Sequence, residues 1–155
     1  MPPAWKNIDI RAQPGHHARR LHQLAVALFA EEVGDLKLTP VQYSALHTIC
    51  EQPGIDQKRL ATHIGYDTST IAGVIDRLES RGLVSRTVSP ADRRVRLIAP
   101  TAEGQALLEA VIPRMLSTQQ RLLAPLSKAE REQFLRLIQT LIDANAELSN
   151  SPVRD

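Results

Sequence analysis

The sequence predicts a mainly α-helical fold carrying one small β-hairpin. Three observations predict it. Hydrophobic residues make up 43% of the 155 positions and aromatic residues only 3%. The core is therefore built from Leu, Ile, Val and Ala, a balance that favours helices packed on helices over a large sheet. Apolar residues recur at helical spacing through most of the chain. One stretch departs from that rhythm: Val84-Ser85-Arg86-Thr87-Val88 alternates, Ser89-Pro90-Ala91-Asp92 makes a turn, and residues 95–99 read as the returning strand.

The elements follow in order. Residues 1–14 carry Pro2, Pro3 and Pro14 without periodicity and read as an arm. A helix over 16–33 places Leu21, Leu24, Ala25, Leu28 and Phe29 on one side, and Gly34 stops it. A second opens at Thr39-Pro40, an N-cap followed by proline at the first helical position, with Tyr43, Leu46, Ile49 and Cys50 as its apolar face. Pro53-Gly54 closes it. Two short helices come next. Asp56 caps the first, which buries Leu60, Ala61 and Ile64. After the tight turn Gly65-Tyr66-Asp67, either Asp67 or Thr68 caps the second, whose inward stripe is Ile71, Val74, Ile75 and Leu78. Beyond the hairpin, Thr101 starts a long helix through Leu107, Leu108, Val111, Ile112, Met115, Leu116, Leu122 and Leu123. Pro113 inside it predicts a kink or a split. Ser127-Lys128-Ala129-Glu130 has the form of a capping box for a last helix that presents Phe134, Leu135, Ile138, Leu141 and Ile142.

These elements divide the chain into an N-terminal arm and helix (1–34), a central lobe (35–100), C-terminal helices (101–148) and a frayed tail (149–155). Cys50 is the single cysteine, which excludes an internal disulfide and suits a reducing compartment. No stretch approaches the ~18 apolar residues of a membrane span, and the N-terminus lacks the apolar run of a signal peptide. The expectation is a soluble cytoplasmic protein without membrane association. No glycine-rich phosphate loop, metal tetrad or Ser-His-Asp order is present, so the residues give no support to an enzyme or to a bound cofactor.

Helix, glycine-containing turn, helix and two-stranded hairpin make a helix-turn-helix with a wing, an arrangement that binds double-stranded DNA. The first short helix braces the second, and the second enters the major groove. Thr68, Ser69 and Thr70 at its start reach phosphates and base edges, while Arg77 and Arg81 lie further along, opposite backbone phosphates. The wing tip Asp92-Arg93-Arg94-Val95-Arg96 packs three arginines into four positions, a dense positive projection suited to phosphates or a narrow minor groove. Asp92 is placed to hold a neighbouring arginine in one rotamer. A winged helix used only for protein–protein contact is the alternative, and the arginines of the wing argue against it.

Residues 60–104 resemble the MarR (multiple antibiotic resistance regulator) family. The likeness is carried by Leu60-Ala61, Ile71, the run Val74-Ile75-Asp76-Arg77-Leu78-Glu79, Arg81-Gly82-Leu83-Val84, Arg86, Asp92-Arg93-Arg94 and Thr101-Ala102-Glu103-Gly104. The resemblance implies a symmetric homodimer held by its terminal helices, a pseudopalindromic operator, repression as the mode of action, and a small-molecule effector pocket between the dimer core and the DNA-reading lobe. Two positions depart from the family pattern. Gly73 replaces a larger polar or basic residue of the recognition helix, and Pro100 replaces an apolar residue before Thr101.

His16, His17, Arg19, Arg20 and His22 cluster early in the first helix, and His47 and Cys50 sit one turn apart on the second. Three readings are open. They are scattered surface and packing residues, or His47 and Cys50 belong to a metal or oxidant sensor, or the cluster serves an anionic effector. In the last, which the resemblance implies, His16, His17 and Arg20 hold the carboxylate of an aromatic acid while Tyr43 and His47 flank its ring.

Overall fold

The computed structural model describes residues 1 and 3–149. Of the expected tail, 149–155, residues 150–155 lie outside the described residues. The arm is ordered as two 3₁₀ turns, Ala4–Asn7 and Ile10–Ala12, the second capped by the Asp9 carboxylate on Arg11 N–H. Helix α1 then spans Pro14–Val33, starting two residues earlier than the periodicity indicates because Pro14 takes the first-turn position that needs no N–H. Helix α2 spans Pro40–Glu51. Thr39 and Gln42 close its capping box, the Gln42 N–H donating to Thr39 Oγ1 and the Thr39 N–H to Gln42 Oε1.

A two-residue strand β1, Ile55–Asp56, leads into helix α3, Gln57–Ile64. Asp56 caps α3 through Arg59 N–H. Gly65 turns the chain at φ +75°, a left-handed conformation that only glycine adopts cheaply, and Asp67 caps helix α4, Thr68–Ser80. Of the two cap candidates, Asp67 is the one used. The wing consists of β2, Val84–Val88, and β3, Arg96–Pro100. The sheet order is β1-β3-β2, antiparallel throughout, with Val84 opposite Pro100 and Ile55 opposite Ile98. Strand β1 is absent from the sequence reading because two residues carry no periodicity.

Helix α5 spans Ala102–Leu123 and continues through Pro113, so of the expected kink or split the split does not occur. The missing proline N–H costs one bond. Flanking anchors hold the helix together: Leu108 and Val111 are in the core, and Arg114 Nη1 donates to Glu32 O and to Asp35 Oδ1 at 2.6 Å. Arg121 adds ion pairs to Glu31 and Glu32 at the end of α1. Helix α6, Lys128–Ala144, begins with the predicted capping box of Ser127 and Glu130, and a short turn α7, Ala146–Ser149, follows.

One core unites the central lobe. Leu46, Ile49, Leu60, Ile71, Val74, Ile75, Leu78 and Ile98 are sealed from solvent there, and Phe29, Val33, Leu108 and Val111 join α1 and α5 to it. The terminal helices are different. Leu24, placed on the apolar stripe of α1, is 53% exposed, and α6 buries none of its residues within the protomer. Within one chain α1 buries only its C-terminal end, at Phe29 and Val33, and α6 half-covers Phe134 and Ile138, so much of the apolar periodicity of both helices is left uncovered.

Candidate nucleic-acid interface and effector cleft

The first turn of α4 is organised by the Asp67 carboxylate. It accepts from Thr70 N–H at 2.8 Å, from Ser69 Oγ–H at 2.6 Å and from Thr70 Oγ1–H at 2.5 Å. The Ser69 hydroxyl first, then those two Thr70 donors, hold this carboxyl well below the usual carboxylate range. Thr68, Ser69 and Thr70 are all exposed, as the sequence requires of a groove-facing turn. Gln57 Nε2 donates to Thr68 O at 3.2 Å, so α3 braces the start of α4 directly.

The wing is tied to the same helix. Arg86 on β2 reaches Asp76 at 2.7 Å and donates from both Nε and Nη2 to Glu79, bridging two carboxylates one turn apart on α4. These partners raise its pKa, the hydrogen bonds it donates to Glu79 foremost. This arginine ties the wing to the recognition helix. At the tip, Ser89 Oγ accepts from Ala91 N–H and Asp92 N–H, and Ser89 N–H donates to Val95 O. Asp92 Oδ1 accepts from Arg94 N–H at 2.9 Å. The expectation for Asp92 is thus corrected: it shapes the turn backbone, and among the described residues it pairs with no arginine side chain. Arg93, Arg94 and Arg96 are exposed around that turn, and Arg77 is exposed on α4.

Arg81, exposed beyond the end of α4, also has a partner within the chain. Its guanidinium donates to Lys37 O at 2.6 Å and Leu36 O at 3.1 Å, where Lys37 sits at φ +52°. Those bonds tie two of its five N–H donors to the α1–α2 connection. Two residues that sequence reasoning missed line a concavity of about 410 Å³ between α3 and α4, beside Thr68 and Ser69: Lys58 and Tyr66. The available signal was Lys58-Arg59 in the first turn of α3, where cations oppose the helix dipole and stability alone does not favour them.

A second cavity, of about 170 Å³, opens between α1, α2 and α5. His22, Phe29, Tyr43, Ser44, Met115 and Gln119 are among its walls. The Phe29 and Tyr43 rings stand 6.1 Å apart at 54°. Tyr43 and Ser44 also border a polar trough of about 270 Å³ that carries His47, Glu51 and His63. His47 is 5.9 Å from the Tyr43 ring and pairs with Glu51 at 3.4 Å.

The expected cluster of His16, His17 and Arg20 lines neither space. At about 100° per residue, Arg20 points roughly 160° from His22 around α1, and His17 and His16 roughly 140° and 120°. His16 Nδ1 instead meets Arg19 Nη2 at 3.3 Å and packs edge-on against His17. His22, on the same helix, faces the cleft in their place. Burial pushes the Cys50 thiol above its ordinary value, which lowers its thiolate fraction. Among the described residues, no three His, Cys, Asp or Glu side chains are placed to hold a metal.

The braced helix, the arginine-tipped wing and the three-stranded sheet define a winged helix-turn-helix DNA-binding protein. Comparison with known proteins narrows that class. The model of the MarR family matches residues 38–95. Transcriptional regulator HosA of Escherichia coli O111:H- is 36% identical over 135 residues, covering 87% of this chain and 98% of its own. Among solved structures, the PcaV transcriptional regulator of Streptomyces coelicolor with its natural ligand superposes at TM-score 0.84 and 36% identity, covering 88% of this chain and 96% of that one. Bordetella bronchiseptica BpsR, whose DNA binding is regulated by 6-hydroxynicotinic acid, superposes at TM-score 0.84 and 32% identity, covering 88% and 97%. The chain belongs to the MarR family of transcriptional regulators. Among the described residues, no helix is long and apolar enough to cross a membrane.

Proposed function

We propose that the protein is a homodimeric repressor released from a pseudopalindromic operator by a small aromatic acid bound in the α1–α2–α5 cleft. The observation that carries this reading is the position of the cleft. Its walls come from α1 and α5, which lead to the terminal helices, and from α2, which packs on α3 and α4. A ligand wedged there bears on the angle between the dimer scaffold and the DNA-reading lobe. Phe29, Tyr43 and Met115 offer apolar and aromatic surface to a single ring, and His22, Ser44 and Gln119 offer polar partners to a carboxylate and a ring substituent. The ligand of BpsR is an acid of this kind.

The dimer is supported by the uncovered apolar face of α6, where Leu135, Leu137, Leu141 and Ile142 are 48–65% exposed. Two α4 helices related by a two-fold axis then meet successive major grooves about 34–36 Å apart. On each half-site Thr68, Ser69 and Thr70 face the groove, Arg77 and Lys58 meet the backbone, and Arg93, Arg94 and Arg96 extend to flanking phosphates or the minor groove. A hundredfold loss of DNA affinity needs only about 2.7 kcal/mol of differential ligand binding between the two dimer states.

Fluorescence anisotropy of the dimer on its own promoter region tests the proposal, with benzoate-like and pyridine-carboxylate-like acids as competitors. Such an acid is expected to release the DNA. His22→Ala is expected to bind DNA normally and to need about tenfold more acid, the equivalent of one hydrogen bond to a charged group. If none of these acids changes DNA affinity, or if His22→Ala responds as wild type does, the cleft is not the effector site.

A further inference from the structure

Given the DNA-binding role proposed above, on which this inference rests, the first turn of α4 determines which base edges it can read. A hydroxyl has one proton to donate and two lone pairs with which to accept. The single protons of both Ser69 and Thr70 are committed to Asp67, at 2.6 Å and 2.5 Å. What these side chains present outward is therefore lone pairs. We propose that Ser69 and Thr70 are acceptor-only readers of the major groove, each selecting the exocyclic amine of an adenine or cytosine on the strand it faces.

The alternatives are disfavoured by charge. A phosphate offers only anionic acceptor oxygens and would meet lone pairs backed by a carboxylate. In the major groove guanine presents O6 and N7 and thymine presents O4, all acceptors, whereas adenine N6 and cytosine N4 carry protons pointing outward. Donating to a carboxylate also polarises each hydroxyl and makes its oxygen a better acceptor. Rotating a hydroxyl to face a phosphate would only exchange one charge-assisted bond for another, and would leave the phosphate and the Asp67 carboxylate close together with no proton between them. Asp67 thus does more than cap the helix. It fixes the direction in which its two neighbours hydrogen-bond, and its charge keeps phosphates away from that turn and towards Lys58 and the wing.

Duplexes enriched from a randomised pool by wild type, Ser69→Ala and Thr70→Val test the proposal. Valine keeps the shape of threonine and removes the acceptor. Each variant is expected to lose preference at one base pair per half-site and to keep the rest. At that pair, deleting the amine (purine for adenine, pyrimidin-2-one for cytosine) is expected to weaken wild type roughly three- to tenfold and to leave the matching variant unchanged. Equal weakening of all duplexes by both variants would make the hydroxyls phosphate contacts and overturn the proposal. So would amine deletions that weaken wild type and variant alike, or variants with unaltered preference. If wild type itself enriches no sequence, the DNA-binding reading fails first, an outcome distinct from the other three.

Discussion

Gly104 is the point where the DNA-reading lobe is clamped to the long helix, and one methyl group tests that joint. A Cβ at Gly104 would lie 2.0 Å from Leu83 O, 3.0 Å from Leu83 C and 3.3 Å from Leu83 Cα. All three are backbone atoms and cannot swing aside. To regain even a tight contact, the first turn of α5 must withdraw by about 1 Å. Two bonds span the same joint: Thr101 N–H donates to Leu83 O at 3.1 Å and Thr101 Oγ1–H to Gly82 O. A withdrawal of that size takes both out of hydrogen-bonding range. Overpacking costs about 1–3 kcal/mol, and each lost bond adds about 1 kcal/mol. Alanine returns about 1 kcal/mol through its helix propensity. Gly104→Ala should therefore destabilise the protein by about 2–4 kcal/mol, a large effect for a single methyl. Urea unfolding followed by far-UV circular dichroism, at fixed protomer concentration, measures it. Gly73→Ala is the control. That glycine lies within α4, and no heavy atom comes within 4 Å of its added Cβ, so the same change there should stabilise by about 0.5–1 kcal/mol. A Gly104→Ala protein as stable as wild type would refute the close-approach argument.

Three further outcomes are expected. Arg94→Ala should lower DNA affinity and reduce the slope of log affinity against log salt by about two, one phosphate per wing in each dimer; an unchanged slope in anisotropy titrations would place the wing tip away from the backbone. Arg86→Ala should keep its helical content yet weaken operator binding, because the wing loses its tie to Asp76 and Glu79. Arg86→Lys should recover only part of that loss, since an ammonium cannot reproduce the planar fork that spans both carboxylates. Asp67 has a depressed pKa in the folded state, so the stability it contributes is present above the ordinary carboxylate range and is lost as pH falls through and below it. Asp67→Asn keeps a capping oxygen but has no proton to gain. Its stability should fall less steeply than that of wild type between about pH 4 and pH 2 in thermal melts, and parallel curves would count against the assignment.

Much of the DNA-reading lobe was legible in the sequence. The stripe Ile71, Val74, Ile75 and Leu78 is buried as its spacing requires, and the caps at Thr39, Asp56 and Ser127 are where the residue types place them. Such features depend on neighbours within a turn or two, and their chemistry is written in local order. The pairings of arginines were not legible. Arg81 and Arg94 look alike in the sequence, yet Arg81 donates to the carbonyls of residues 36 and 37 while the Arg94 side chain stands at the exposed tip. The carbonyls that claim Arg81 lie more than forty positions away along the chain.

The effector cleft shows the same boundary from the other side. The basic cluster of α1 suggested an anion site, but the helix rotation fixed by Phe29 and Val33 in the core turns His22 towards the cleft and turns His16, His17 and Arg20 elsewhere. By itself the sequence determined the elements, their caps, the wing and the family, because each rests on periodicity, on residue types with restricted backbones, or on motifs at fixed spacing. Only the tertiary structure decided the third strand, the continuity of α5 past Pro113, the locking of Ser69 and Thr70 by Asp67, and which α1 side chains face the cleft. Those outcomes depend on the rotation of each helix about its axis and on contacts between distant segments, and both are set when the whole core packs.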